Sequence, residues 1–294
     1  LDLLDPSITI PFFIMMSKTK HWTLDDIDWS VLKPDLVTAE LLSAVKTAAL
    51  VEANSADYVV YLNNVFKDDP EFCAVADRWG DEEIQHGEAL GHWAELVDPS
   101  FNFKERLAHF RRLYQIPLEA EVSVRGSQAG ELLARCVVES GTCSYYAALR
   151  DFSEDPVLRQ ICTFISRDES RHYRLFKLHA ERYQKLNLMK RIKIAIGRVA
   201  ETSDDELGYA WHAATARLED IGVNYNREEC AGTYNRIATS MYKRVHIDSA
   251  VHMVITAIGL KARGIASKVL SNVIWRVFQA KKKSYPVSAS SPLS

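Results

Sequence analysis

Glycine is scarce in this chain, with 12 residues in 294, and cysteine is scarcer, with five. Cys73, Cys136, Cys143, Cys162 and Cys230 form no C-x-x-C pair and no zinc-ribbon spacing, which argues against thiolate zinc modules and thioredoxin-type redox motifs. An odd count in a chain of this length implies reduced thiols and a cytoplasmic setting rather than a disulfide framework. Cys136 and Cys143 read as small, core-lining residues. Long apolar runs are also missing. The longest near the N-terminus, "ITIPFFIMM", is broken by Pro11, is too short to span a bilayer, and lacks the basic flank of a signal peptide. No charge of one sign dominates either: a net charge of -3 argues against a dedicated nucleic-acid binder.

What remains is a chain with 47% hydrophobic residues that can bury a sizeable core, patterned mostly at the 3.6-residue period. That pattern predicts an all-α protein. An extended arm is expected over 1–33, a single helical domain over 34–280 with its chemistry in 36–185, and a disordered tail over 281–294. The predicted helices run over 35–66, 69–96, 101–114, 127–152, 155–185, 187–200, 204–221, 226–244 and 246–280. Asp69 is a candidate cap with Pro70 at the first helical position, and "EDPVL" opens a later helix in the same way.

The halves of the core repeat. "DEEIQHGEAL" holds Glu83 and His86, and "RDESRHYRLF" holds Glu169 and His172, at one spacing. Pro70 and Pro156 each precede the motif glutamate by 13 residues, and on the preceding helices Glu52 and Glu139 lie 18 and 17 residues before those prolines. Each half is thus a helix with one glutamate in an apolar face, a turn, and a helix carrying E-x-x-H. Residues three apart share a helix face, so each Glu/His pair can hold one ion. Four carboxylates and two imidazoles around a bundle axis are the ligand set of ferritin-like di-iron and di-manganese proteins. Four buried carboxylates carry about -4, which two divalent cations would cancel. Oxygen and imidazole donors suit iron or manganese. Glu40 and Glu131 compete for the single-glutamate places, but each sits in a first turn, where the helix dipole already favours an acid. Glu52 and Glu139 are the better ligands.

"WGDEEIQHGEAL" together with "LRQICTFISRDESRHYRLF" resembles the two iron boxes of soluble acyl-carrier-protein desaturases, over about residues 40–183. The resemblance implies a ferritin-like four-helix bundle with additional C-terminal helices. It implies two iron ions, or one iron and one manganese, held by Glu52, Glu83, His86, Glu139, Glu169 and His172. By the same resemblance Thr142 stands beside the oxygen-binding face, Asp168 orients a ligand histidine of the opposite pair, and Trp79 lies on the electron-entry side. Gln85 stands where the family has arginine, the connection between the third and fourth long helices is shorter, and the C-terminal third aligns with no box. The implied activity is oxygen-dependent desaturation or hydroxylation of an acyl or similar apolar substrate, with O2 as co-substrate and an external electron donor. N-oxygenation and a ferroxidase or peroxide-scavenging role are the alternatives.

Tyr58, Tyr145 and Tyr146 read as core residues around the ligand helices. His92, His109, His179, His212, His246 and His252 read as surface or satisfied core residues. No acid follows Asp248, whereas Lys261, Arg263, Lys268, Arg276, Lys281, Lys282 and Lys283 do. With interleaved Val, Ile and Leu they make 250–280 a basic amphipathic helix. It reads as bundle packing, as a docking surface for an acidic carrier protein, or as an anionic membrane contact. An electron-transfer partner is implied, and a homodimer is left open.

Overall fold

The computed structural model describes residues 21–201 and 205–284, with side chains to residue 280. Among these residues there are helices and no strand. The helices are α1 (Ala39–Ala53), α2 (Ser55–Val65), α3 (Pro70–Val97), α4 (Phe103–Leu113), α5 (Gln128–Phe152), α6 (Pro156–Ala180), α7 (Leu188–Ala200), α8 (Asp205–Thr215), α9 (Arg227–Met241), α10 (Arg244–Ala257) and α11 (Ile265–Ser284).

Side-chain caps set the starts of the long helices. Thr38 accepts from the Leu41 amide, Asp69 from Phe72, Ser127 from Gly130 and Asp155 from Leu158, with Pro70 and Pro156 just inside α3 and α6. Each such cap satisfies an amide that has no partner within the helix and contributes about 1 kcal/mol. Asp155 also accepts from the Trp93 indole and the Lys33 amide, so one carboxylate ties the start of α6 to α3 and to the N-terminal segment.

Five expectations about element boundaries are corrected. The helix expected over 35–66 is interrupted at Asn54, which stands between α1 and α2 immediately after Glu52 and Ala53. The break has no local side-chain cap: the Asn54 side-chain amide is buried without a partner and the Ser55 hydroxyl donates to the Gly80 carbonyl of α3, a contact that periodicity does not show. The helix expected over 246–280 is two helices. Gly259 at φ 88° ends α10, with its amide donating to Thr256 O and the Leu260 amide to Ile255 O, the paired bonds of a Schellman stop. The helix expected over 204–221 stops at Thr215, with only a 3-10 turn at Leu218–Asp220 beyond it. Within the arm expected over 1–33, the described part folds into 3-10 turns at Leu24–Asp26 and Trp29–Val31, and residues 1–20 lie outside the described residues. Of the tail expected from 281, residues 281–284 continue α11 and the rest lies outside the described residues.

Two apolar clusters show how the bundle is threaded. One gathers Leu41, Val45 and Ala49 of α1, Leu90 and Trp93 of α3, Leu149 of α5 and Leu158 and Ile161 of α6. The other gathers Leu62 of α2, Phe72 and Trp79 of α3, Leu132 and Cys136 of α5 and Phe176 of α6. The early part of α3 thus meets the early part of α5 and the late part of α6, so α6 runs antiparallel to α3 and α5. Positions 83–86 of α3, 139–142 of α5 and 168–172 of α6 lie between the clusters in sequence. The polar residues there are sealed by apolar packing at both ends.

Candidate metal centre

The break at Asn54 brings the end of α1 against α3 at Gly87. A side-chain carbon at Gly87 would lie 2.6 Å from both Ala53 Cβ and Ala53 N. Only glycine permits that approach, which sets Glu52 beside Glu83 and His86. Across the axis α5 supplies Glu139, and α6 supplies Glu169 and His172. All six are buried. Their donor atoms form two overlapping sets, Glu52/Glu83/His86/Glu169 and Glu83/Glu139/Glu169/His172, each within 4.8 Å. Glu83 and Glu169 belong to both sets, while Glu52 and Glu139 each belong to one.

The two histidines face the centre in the same way. His86 Nδ1 lies 3.8 Å from Glu52, 3.5 Å from Glu83 and 3.4 Å from Glu169. His172 Nδ1 lies 3.0 Å from Glu83 and 3.6 Å from Glu139. Each Nε2 turns outward to a carboxylate, His86 to Asp168 at 3.1 Å and His172 to Glu82 at 2.6 Å. A carboxylate on the outer nitrogen places the proton there and leaves the inner nitrogen as a lone pair for an ion. Arg171 joins the outer acids, reaching Glu82 at 2.6 Å and Asp168 at 2.9 Å.

Glu82 was missed in reading the sequence, although a signal was present. It precedes Glu83 as Asp168 precedes Glu169, so the repeat extends one residue further on each helix. Gln85 occupies the place in the first motif that Arg171 holds in the second. Its amide donates to the Trp22 carbonyl at 2.9 Å and approaches the His21 ring at 3.2 Å. The N-terminal segment thereby lies over the outer carboxylates. Trp22 donates to Asp168 at 2.7 Å and stacks on His86 with the rings 4° from parallel.

The donor set fits two divalent cations. Glu83 Oε1, His86 Nδ1, Glu139 Oε2, Glu169 Oε1 and His172 Nδ1 are buried without a hydrogen-bond partner, and all belong to the two sets. Buried polar atoms are rarely left so, and five converging on one volume are the coordination an ion would satisfy. Without a cation, protons do the neutralising. Burial, then the Glu83 charge, pushes the Glu52 carboxyl up to about 8. Burial and Glu169 raise Glu139, and burial and Glu83 raise Glu169. Burial acts against charge on Glu83, but the facing His172 and His86 rings hold it well below the usual carboxylate range. Burial likewise opposes charge on the histidines, yet Asp168 and Glu169 raise His86, and Glu139 and Glu82 raise His172.

The Thr142 hydroxyl donates to Glu169, and the Tyr146 hydroxyl to Glu52. Trp79 lies one turn before Glu83 but packs edge-on against Phe176, with its indole nitrogen unpartnered. The tryptophan joined to the cluster by hydrogen bonds is Trp22. Glu131 is held by Tyr61, Ser123 and Arg135 away from the two sets, and Glu40 belongs to neither. Among the other histidines, His246 pairs with Asp151, His179 contacts Arg182, and His212 accepts from the Gly222 amide. Tyr58 donates to Glu206, while Tyr145 is half-buried against Tyr146. The five thiols are free, and burial raises those of Cys136 and Cys143.

The class these features define is an all-helical protein with a buried carboxylate–imidazole site that could hold metal ions. No protein-family profile matches the chain, and no curated protein matches it either. Among the described residues no helix is long and apolar enough to cross a membrane.

Proposed function

We propose that the chain is a ferritin-like di-metal carboxylate protein that uses dioxygen and an external electron donor to oxidise an acyl or similar apolar substrate. The observation that carries this reading is the pair of four-residue sets sharing Glu83 and Glu169. One shared pocket for two cations would let two one-electron metal couples serve dioxygen together, whereas a single structural ion needs only one set. Glu52, Glu83, His86 and Glu169 would hold one ion, and Glu83, Glu139, Glu169 and His172 the other. Two iron ions, or one iron and one manganese, would supply the redox equivalents when bound.

The remaining work falls to the chain's own residues. Asp168 and Glu82 orient the histidines, and the clusters around Trp93 and Phe176 exclude water. Thr142 can hold a proton at its hydroxyl beside Glu169. Trp22, hydrogen-bonded to Asp168 and stacked on His86, supports an electron path into the site from the N-terminal segment. The outcome on substrate, desaturation or hydroxylation, follows from how the substrate is seated.

The test joins metal analysis to product analysis. The iron-loaded parent should carry about two ions per chain and, with reductant and oxygen, should convert free or carrier-bound acyl chains to an oxidised product. Glu169→Ala should lose at least one ion. Full occupancy in that variant would overturn the ligand assignment, and a parent without metal would make the repeat a bare helical scaffold. Continued uptake of iron with no organic product would favour ferroxidase activity instead.

A further inference from the structure

Helix α11 carries its polarity the wrong way round for a helix that packs only on its own bundle. Ser267 and Ser271 face inward, 0% and 2% exposed, with hydroxyl oxygens that lack hydrogen-bond partners. On the outer side Ile265, Val269, Val273 and Val277, four residues apart, are 83%, 55%, 52% and 49% exposed, and Leu270 lies beside them. Aliphatic side chains gain by leaving water, so a continuous stripe of them in solvent marks a surface that something else covers. The helix is nonetheless attached, since Ile274, Trp275 and Phe278 pack on a cluster with Ile247 and Val251 of α10. Helix α7 packs Ile192 and Ala195 on that same cluster. It too leaves apolar side chains outside, with Met189, Ile196 and Val199 exposed beside exposed Lys190 and Lys193.

Charge selects the occupant. Lys261, Arg263, Lys268 and Arg276 are all exposed, and no acid follows Asp248 in the sequence. A second copy docked by two-fold symmetry would set this cationic stripe against itself with no acid on α11 to pair it. An acidic protein would match the charge, but protein interfaces are anchored by aromatic side chains in pockets, and this stripe offers only branched aliphatics. An anionic lipid surface meets both demands, because its acyl layer takes up the aliphatic stripe and its headgroups attract the lysines and arginines.

We propose that α11, together with α7, seats this protein peripherally on an anionic lipid surface. The inference is independent of the metal centre and stands or falls without it. The test is co-sedimentation of the full chain with phosphatidylcholine vesicles, with or without about one-third phosphatidylglycerol. The parent should bind the anionic vesicles, more weakly as salt rises, and should leave the neutral ones. Val269→Ser with Val273→Ser, and separately Lys268→Glu with Arg276→Glu, should each lower that partition about tenfold or more. Both pairs are exposed, so helicity by circular dichroism should hold; should the serine pair lose it, the charge pair carries the test. Failure of the parent to bind, or equal binding by parent and charge-reversed protein, overturns the proposal. So does a dimer that the serine pair dissociates, which would make the stripe an interface between copies. Binding that appears only after removal of residues 1–20 would also overturn it, because that segment would then be the occupant.

Discussion

A histidine can serve an ion only if its second nitrogen is told what to do. Here Asp168 and Glu82 give that instruction from opposite helices, each one residue before a cluster glutamate of its own helix. Glu82→Gln should free the His172 ring from its negative partner and weaken its lone pair toward a cation. The expected result is a loss of about 10–100-fold in metal affinity, the range seen for outer partners of ligand histidines. Competition against a chelating dye measures it, with Glu131→Gln as the control. Glu131 is likewise acidic and more deeply buried than the half-buried Glu82, but its partners are Tyr61, Ser123 and Arg135, so its loss should leave metal affinity unchanged. If both variants lowered affinity alike, general destabilisation rather than ring orientation would be the cause.

Two backbone features decide whether the helices can carry these residues to one place. The interruption at Asn54 ends α1 just past Glu52, and Gly87 lets that end press on α3. Gly87→Ala would set a methyl 2.6 Å from the Ala53 backbone nitrogen and 2.8 Å from the Ala49 carbonyl oxygen, where no flexible side chain can yield. Overpacking of this kind costs about 1–3 kcal/mol. Urea unfolding should show that loss, and the variant should also bind metal more weakly, because Glu52 is displaced from His86. Gly141→Ala is the counterpart, since nothing lies within 4 Å of a carbon added there. Equal stability of the two variants would mean that α1 can shift without penalty.

For the molecule as a whole, four buried carboxylates on the bundle axis are a cost that cations, on the proposed function, would offset. Cations that bind the folded chain and not the unfolded one stabilise it by mass action, about 2.7 kcal/mol at a concentration 100 times the dissociation constant. Chelation should therefore lower the midpoint of thermal unfolding by several degrees. Restoring iron or manganese should recover the midpoint in a concentration-dependent way. In Glu169→Ala, whose glutamate belongs to both sets, the recovery should be smaller. A chelator-insensitive midpoint in protein shown to contain metal would sink the view that the ions balance the buried charge.

The buried Glu/His cluster was legible in the sequence because a duplicated motif is a statement about faces and distances that survives without coordinates. Glu83 with His86, and Glu169 with His172, must share a helix face whatever the fold. Glu139 is mid-helix as its apolar neighbours suggest, but Glu52 lies at the end of α1 and Glu131 is buried as they are, so it is position, not burial, that brings Glu52 and Glu139 to the cluster and leaves Glu131 out. Asp69 and Asp155 marked helix starts through purely local hydrogen bonds. Trp22 could not be found in this way, since it meets His86 and Asp168 only after the chain has turned back across some 60 and 146 positions. The break at Gly259 was local in cause, and that at Asn54 rests on packing against α3, but both were hidden inside apolar patterns that a continuous helix would share. The outward stripe of α11 was undecidable from periodicity, because an amphipathic pattern identifies two faces and not which one meets the protein. Only packing against α10 turns Ser267 and Ser271 inward and leaves Val269 and Val273 in water.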